Sequence, residues 1–323
     1  MLAKMGNLQH HFGRKGKPTA DSAICHLCRA GATDIPYEEY DVNAAWYDSY
    51  LQTRPWCRPP PFSRLPLLPE EELFFQFDVF HVMHKGIVAE FVGSAIVTLL
   101  DKGCVGDGDV LTRLERIYDE LSCFCKREGL PLHMTGLTRH LLSFSKDADY
   151  PCGTWFKGAD TYSVAKWVEH KFRDLDAPSW DEYRQSIYET AKHANDFLGK
   201  LYRNGLWLQP FVVGPVIRSG MGFLQEYRVC AQFAFEDNKC RYKIPPKYHA
   251  FCHITHTLIE QLGRVGSREL ESNLPCVISP LAWGCQLDED FVGQISALSR
   301  TSNLNGAHER VMNLYLLNLP KYW

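Results

Sequence analysis

The sequence predicts a mainly α protein. Apolar residues recur at helical spacing across most of the chain between residues 80 and 262, and again near the C-terminus. Glycines and prolines fall at the margins of those runs, where helices start and stop. Strand-like character is confined to Leu73-Phe74-Phe75-Gln76-Phe77-Asp78, a short aromatic run that suits one buried strand.

The elements follow in order. Residues 1–72 are rich in turn formers, and Pro59-Pro60-Pro61 excludes a helix there because three successive prolines lack donors and fix φ. Met83, Ile87, Val88, Phe91, Val92, Ala95, Ile96, Leu99 and Leu100 mark one apolar helix, with Gly103 as its stop. Asp109 is placed to cap a helix over Val110 to Arg127. Further helices are expected over Asp160 to Phe172, Trp180 to Tyr202 and Pro210 to Phe235. Another should run from Lys247 to Leu262, between Pro245-Pro246 and Gly263. Helices over Asp288 to Ser299 and Asn305 to Leu317 close the chain. Four regions result: a Cys-x-x-Cys loop region (1–72), a strand–helix junction (73–103), an all-helical stretch (104–265) and C-terminal helices (266–323).

Composition narrows the function. The chain has 323 residues, is 45% hydrophobic and 23% charged, and carries a formal charge of −3. These values exclude a disordered tail and a uniformly basic nucleic-acid coat. Twelve cysteines fall below the ~8–10% density of a disulfide scaffold. The N-terminus turns basic and polar instead of entering an apolar segment, and the apolar run Ile87 to Leu100 falls short of the ~20 residues a membrane span needs. A soluble, intracellular protein with mostly free thiols is the expectation, with Cys123, Cys230 and Cys252 behaving as small hydrophobes in helices.

Several constellations have the residue types for chemistry. Cys25 and Cys28, three apart in a turn, can hold one side of a tetrahedral zinc at about 2.3 Å per bond. Asp78, His81 and His84 stand where the expected strand hands over to a helix; Asp78 is equally a helix cap and the histidines equally buried core. His249, His253, His256 and Glu260 form one stripe, read chiefly as a polar face toward solvent or a neighbouring helix. Ala250 occupies the position where a zinc protease needs glutamate, which excludes that enzyme. Leu287 to Gly293 carries Asp288, Glu289 and Asp290, either a favourable first helical turn or a divalent-metal ligand. Arg14, Lys15 and Lys17 make a basic loop, solvated or in contact with phosphate.

The order of these motifs resembles the C-terminal portion of eukaryotic cut-and-paste DNA transposases of the CACTA and Kyakuja–Dileera–Zisupton kind. Cys25 and Cys28 match the family's Cys-x-x-Cys, Asp78 and His81 its Cys/Asp-x-x-His, and Lys247-Tyr248-His249 its Lys-x-His segment. Glu289-Asp290-Phe291-Val292-Gly293 is similar to its Glu-Arg-Phe-Asn-Gly stretch, with Asp290 in place of arginine. The layout is also similar to transposon-like proteins of dinoflagellates. The resemblance implies a long helical insertion appended to a ribonuclease-H-like α/β core, with Glu289 and Asp78 as catalytic acids and a nuclear location.

The family's other catalytic aspartates lie in strands before the Cys-x-x-Cys, and residues 1–24 offer only Asp21. The first strands are therefore expected to be missing, and the chain alone is expected not to cut DNA. Magnesium or manganese would serve only a complete core, because strand transfer needs two ions clamped by carboxylates. A structural zinc held by Cys25, Cys28, His81 and Asp78 or His84 is expected instead, with DNA as partner through Arg14, Lys15 and Lys17. No membrane partner is expected, and oligomerisation is left open. Two other readings stand beside this one. The first is a non-catalytic helical interaction module; the second is a helical metalloenzyme built on His249, His253 and Glu260.

Overall fold

A computed structural model describes residues 24–25, 27–52, 76–155, 157–267, 276–302 and 305–318. The chain is mainly helical, 62% helix against 2% strand. It divides into two compact units, Met1–Ala282 and Trp283–Trp323.

In the first unit, loop 24–52 contains one short 3-10 turn, Tyr47–Ser49. A π turn, Phe80–Ile87, kinked where Lys85 and Gly86 depart from helical φ/ψ, then runs into helix α1, Val88–Asp101. Asp78 opens this run by accepting a hydrogen bond from the Phe80 amide at 2.9 Å. Residues 76–78 are not a strand, and the rest of the expected strand, 73–75, lies outside the described residues. The run Phe80–Asp101 is long and apolar enough to cross a membrane, more than the segment Ile87 to Leu100 suggested, but 89% of its apolar window is buried inside the protein.

Helix α2, Val110–Glu128, starts where Asp109 accepts the Thr112 amide at 2.8 Å and ends at Gly129 with φ +64°. Helices α3 (Ala159–Arg173), α4 (Asp181–Asn204) and α5 (Pro210–Glu236) follow within a residue or two of their expected limits. Helix α6, Pro246–Ser267, passes through Gly263. A glycine costs a helix interior only about 1 kcal/mol, and Leu262 and Val265, on either side of Gly263, pack against the core.

Helix α4 packs on α3 and α5, and α5 packs on α6. Phe251 joins them: its ring meets Phe197 of α4 at 4.9 Å and Phe223 of α5 at 5.6 Å, edge-on. The strands β1 (Trp207–Leu208) and β2 (Val277–Ile278) pair antiparallel, Trp207 opposite Ile278. They are the sheet among the described residues.

The thiols follow the local packing. Cys230 and Cys252 are buried as expected, whereas Cys123 on α2 is exposed, and the described cysteines form no disulfides. The second unit is a helix pair, α7 (Gln286–Arg300) and α8 (Ala307–Asn318), in which Phe291 meets Tyr315 edge-on at 4.9 Å.

Candidate metal centre

The short loop at Cys25–Cys28 is shaped by its own hydrogen bonds. The Ile24 amide donates to the Ala30 carbonyl at 2.8 Å, and Gly31 turns the chain at φ +86°. The Leu27 amide points at Cys25 Sγ at 3.3 Å and the Ala30 amide at Cys28 Sγ at 3.5 Å. Each sulfur thus receives an amide two residues downstream, which favours the thiolate. Both cysteines are buried.

Helix α6 presents the other half. His249 and His253, one turn apart, lie on the same face and are 1% and 2% exposed. Cys28 Sγ lies 3.2 Å from His249 Nε2 and 3.4 Å from His253 Nε2, and Cys25 Sγ lies 3.4 Å from His253 Nε2. The four ligand atoms all fall within 4.8 Å of one another. Around a tetrahedral ion with bonds of about 2.3 Å to sulfur and about 2.0–2.1 Å to nitrogen, sulfur and nitrogen should be about 3.6 Å apart. The site is within a few tenths of an ångström of that spacing, so Cys25, Cys28, His249 and His253 could hold a metal ion such as zinc.

The surroundings fix the imidazoles. His249 Nδ1 faces the Tyr37 carbonyl at 3.1 Å, a contact that assigns the proton to Nδ1 and leaves Nε2 for coordination. Trp46, fully buried, places its ring against His249, His253 and His256, with centroids 4.8, 4.6 and 4.9 Å apart. Phe77 stacks on His253 at 5.4 Å. His256 is not a ligand: its Nε2 faces the Tyr40 carbonyl at 3.3 Å, and burial holds its pKa below the ordinary value.

Burial alone would raise the Cys25 thiol. The hydrogen bond from Cys28 and the neighbouring His253 and His249 outweigh it, leaving Cys25 well below the usual thiol range. Cys28 moves the other way, through its hydrogen bond to Cys25 and its burial. The thiolate is the form that binds a metal, so a cation bound here displaces any thiol proton.

The expected histidine partners are elsewhere. His81 Nδ1 bonds the Asp78 carboxylate. His84, 4% exposed, bonds the Tyr202 hydroxyl through Nε2 at 2.8 Å, and burial lowers its pKa to about 4. Neither belongs to the four-ligand group, so the histidines that complete the Cys25–Cys28 site are His249 and His253. The stripe on α6 is correspondingly buried at its ligand end and faces the N-terminal loop, not solvent. Glu260 lies outside the group, 3.8 Å from Arg264.

Glu289 stands on α7, in the other unit from Asp78, and its side chain lies outside the described residues. Arg14, Lys15 and Lys17 lie outside them as well. The sequence does signal the site: two histidines one turn apart supply the two ligands that an isolated Cys-x-x-Cys lacks.

Asp78 and His81 instead line an open pocket of about 260 Å³ that Cys25 and His249 also line. The π turn holds this wall in place. Lys247, two residues before His249, donates its ammonium to the Lys85 carbonyl, and its stem crosses Gly86. A Cβ at Gly86 would meet Lys247 Cδ at 2.5 Å and the His81 carbonyl oxygen at 2.7 Å. Only glycine permits so close a crossing.

Compared with family models, with curated proteins and with solved structures, the chain has no match.

Proposed function

We propose that this chain is a transposase-derived domain, catalytically incomplete by itself, whose N-terminal loop is fastened to its helical body by a structural zinc. The carrying observation is the buried group of Cys25, Cys28, His249 and His253. Two thiolates and two imidazoles at tetrahedral spacing suit zinc, and four protein ligands leave no position for water or substrate. In this reading the ion is a fastening and not a catalyst.

The transposase ancestry rests on motif order, and the geometry supports it in one respect. The Cys-x-x-Cys and the Lys-x-His helix share one site, and the Asp-x-x-His turn lines the adjoining pocket. In the same reading the helical body is the insertion of a ribonuclease-H-like ancestor, and Arg14, Lys15 and Lys17 retain contact with DNA.

The test is metal analysis of the purified chain by plasma mass spectrometry. One zinc per chain, lost in Cys25→Ser and in His253→Ala, is expected; a substoichiometric metal content indifferent to both variants refutes the fastening. DNA binding that weakens steeply between low and physiological salt, without nicking of supercoiled DNA in magnesium or manganese, is expected of the transposase-derived reading. Salt-independent binding, or cleavage, refutes that part.

A further inference from the structure

The zinc site of the proposed function is buried, yet it has an opening. Of the four ligand residues, Cys25 and His249 also line the open pocket of about 260 Å³. On the same pocket stand Asp78 and His81, side chains of metal-ligating type joined to each other by a hydrogen bond. Asp78 is 18% exposed and His81 38%, so both meet solvent where the four ligands do not. Lys247, the cationic member of the pocket wall, has its ammonium bonded to the Lys85 carbonyl. The remaining lining is largely apolar, Phe77 and Val82 among it.

A buried ion needs a path by which it sheds water and exchanges ligands stepwise, since a bare divalent cation in an apolar channel is prohibitively costly. We infer that Asp78 and His81 form a transient acceptor site that takes zinc from solvent and passes it to Cys25 and His249. The step is ligand exchange. Water ligands are replaced by the Asp78 carboxylate and His81 imidazole, then these by thiolate and imidazole, and any proton a cysteine thiol carries leaves to solvent as its sulfur binds. No oxidation occurs. The acceptor is a kinetic device: it accelerates loading and extraction alike and leaves the final occupancy unchanged.

The inference rests on the zinc reading above, and its test separates the two. The rate of zinc uptake by chelator-stripped full-length protein, and of zinc loss to excess chelator, is followed by stopped-flow absorbance. In Asp78→Asn and His81→Gln both rates should fall about tenfold, while equilibrium stoichiometry stays at one. The amide of Asp78→Asn retains an oxygen for the Phe80 amide, so the helix start survives that change. His81→Glu, nearly isosteric with His81→Gln but able to ligate metal, should recover the rate to within about threefold of wild type. Rates unchanged in Asp78→Asn and His81→Gln, or equal loss in His81→Gln and His81→Glu, overturn the acceptor while leaving the fastening intact. Reduced stoichiometry in Asp78→Asn would also overturn it, by making Asp78 a permanent ligand. A wild-type chain that takes up no zinc overturns both readings.

Discussion

Cys28 Sγ and His249 Nε2 are 3.2 Å apart, although 221 residues separate them in the chain. Loop 24–52, with one 3-10 turn as its regular structure, is held to α6 through this contact and its companions to His253. A structural zinc can contribute on the order of 10 kcal/mol, enough to decide whether a segment of this kind is folded.

Chelation should therefore loosen the loop and leave the helical core. Arg29 is exposed beside the site, and trypsin cleavage there should accelerate at least tenfold in excess chelator, with far-ultraviolet ellipticity falling by less than a tenth. Equal cleavage rates with and without chelator would show that the ion does not order the loop.

Trp46→Ala should destabilise the chain by about 3–5 kcal/mol, the usual cost of emptying a fully buried aromatic site. The ring is 0% exposed and touches three histidines of α6. Urea unfolding with zinc present measures the loss; a change under about 1 kcal/mol would mean that the loop repacks without it.

Gly86→Ala should cost about 1–3 kcal/mol, because its methyl group needs the space of the Lys247 stem and the His81 carbonyl. Lys247→Ala in the same chain removes one of these neighbours and should recover part of the loss. Thermal melts of the single and double variants provide the comparison, and strict additivity would contradict a direct clash.

His84 should make stability fall in acid. Its imidazole titrates near 6.5 when unfolded and at about 4 when folded, because burial disfavours the cation. Above pH 6.5 both states are neutral and the contribution is complete. As pH falls toward 4 the unfolded chain takes the proton first, which removes about 2 kcal/mol by pH 5 and about 3 kcal/mol below pH 4. Acid also weakens the metal ligands, so the measurement is the difference between wild type and His84→Gln in urea melts at about pH 7.5 and pH 5. The variant should lose about 2 kcal/mol less over that interval; parallel profiles would contradict a buried neutral His84.

The helices were legible from their apolar spacing, and α2 from its local punctuation as well. Asp109 and Gly129 bound α2 through contacts within a few residues, and amphipathic spacing marked α3 to α6. Gly263 misled, since a glycine's modest conformational cost does not end a helix whose flanking Leu262 and Val265 still pack on the core. The site was legible only in halves. Cys25-x-x-Cys28 and the His249–His253 spacing are each local patterns, but no local rule joins a loop at residue 28 to a helix at residue 249. Asp78-x-x-His81 competes for the same assignment, being much nearer in sequence to the cysteines.

By itself, the sequence determined where helices form and which side chains can bind a metal, because hydrogen-bond capping, apolar periodicity and ligand chemistry act over a few residues. Only the tertiary structure decided which ligands meet. That choice depends on how α4, α5 and α6 pack around Phe251, and on Trp46 seating the loop against the histidine face. Packing of this kind sums many weak contacts between distant segments, and the sum fixed His249 and His253, not His81 and His84, as partners of Cys25 and Cys28.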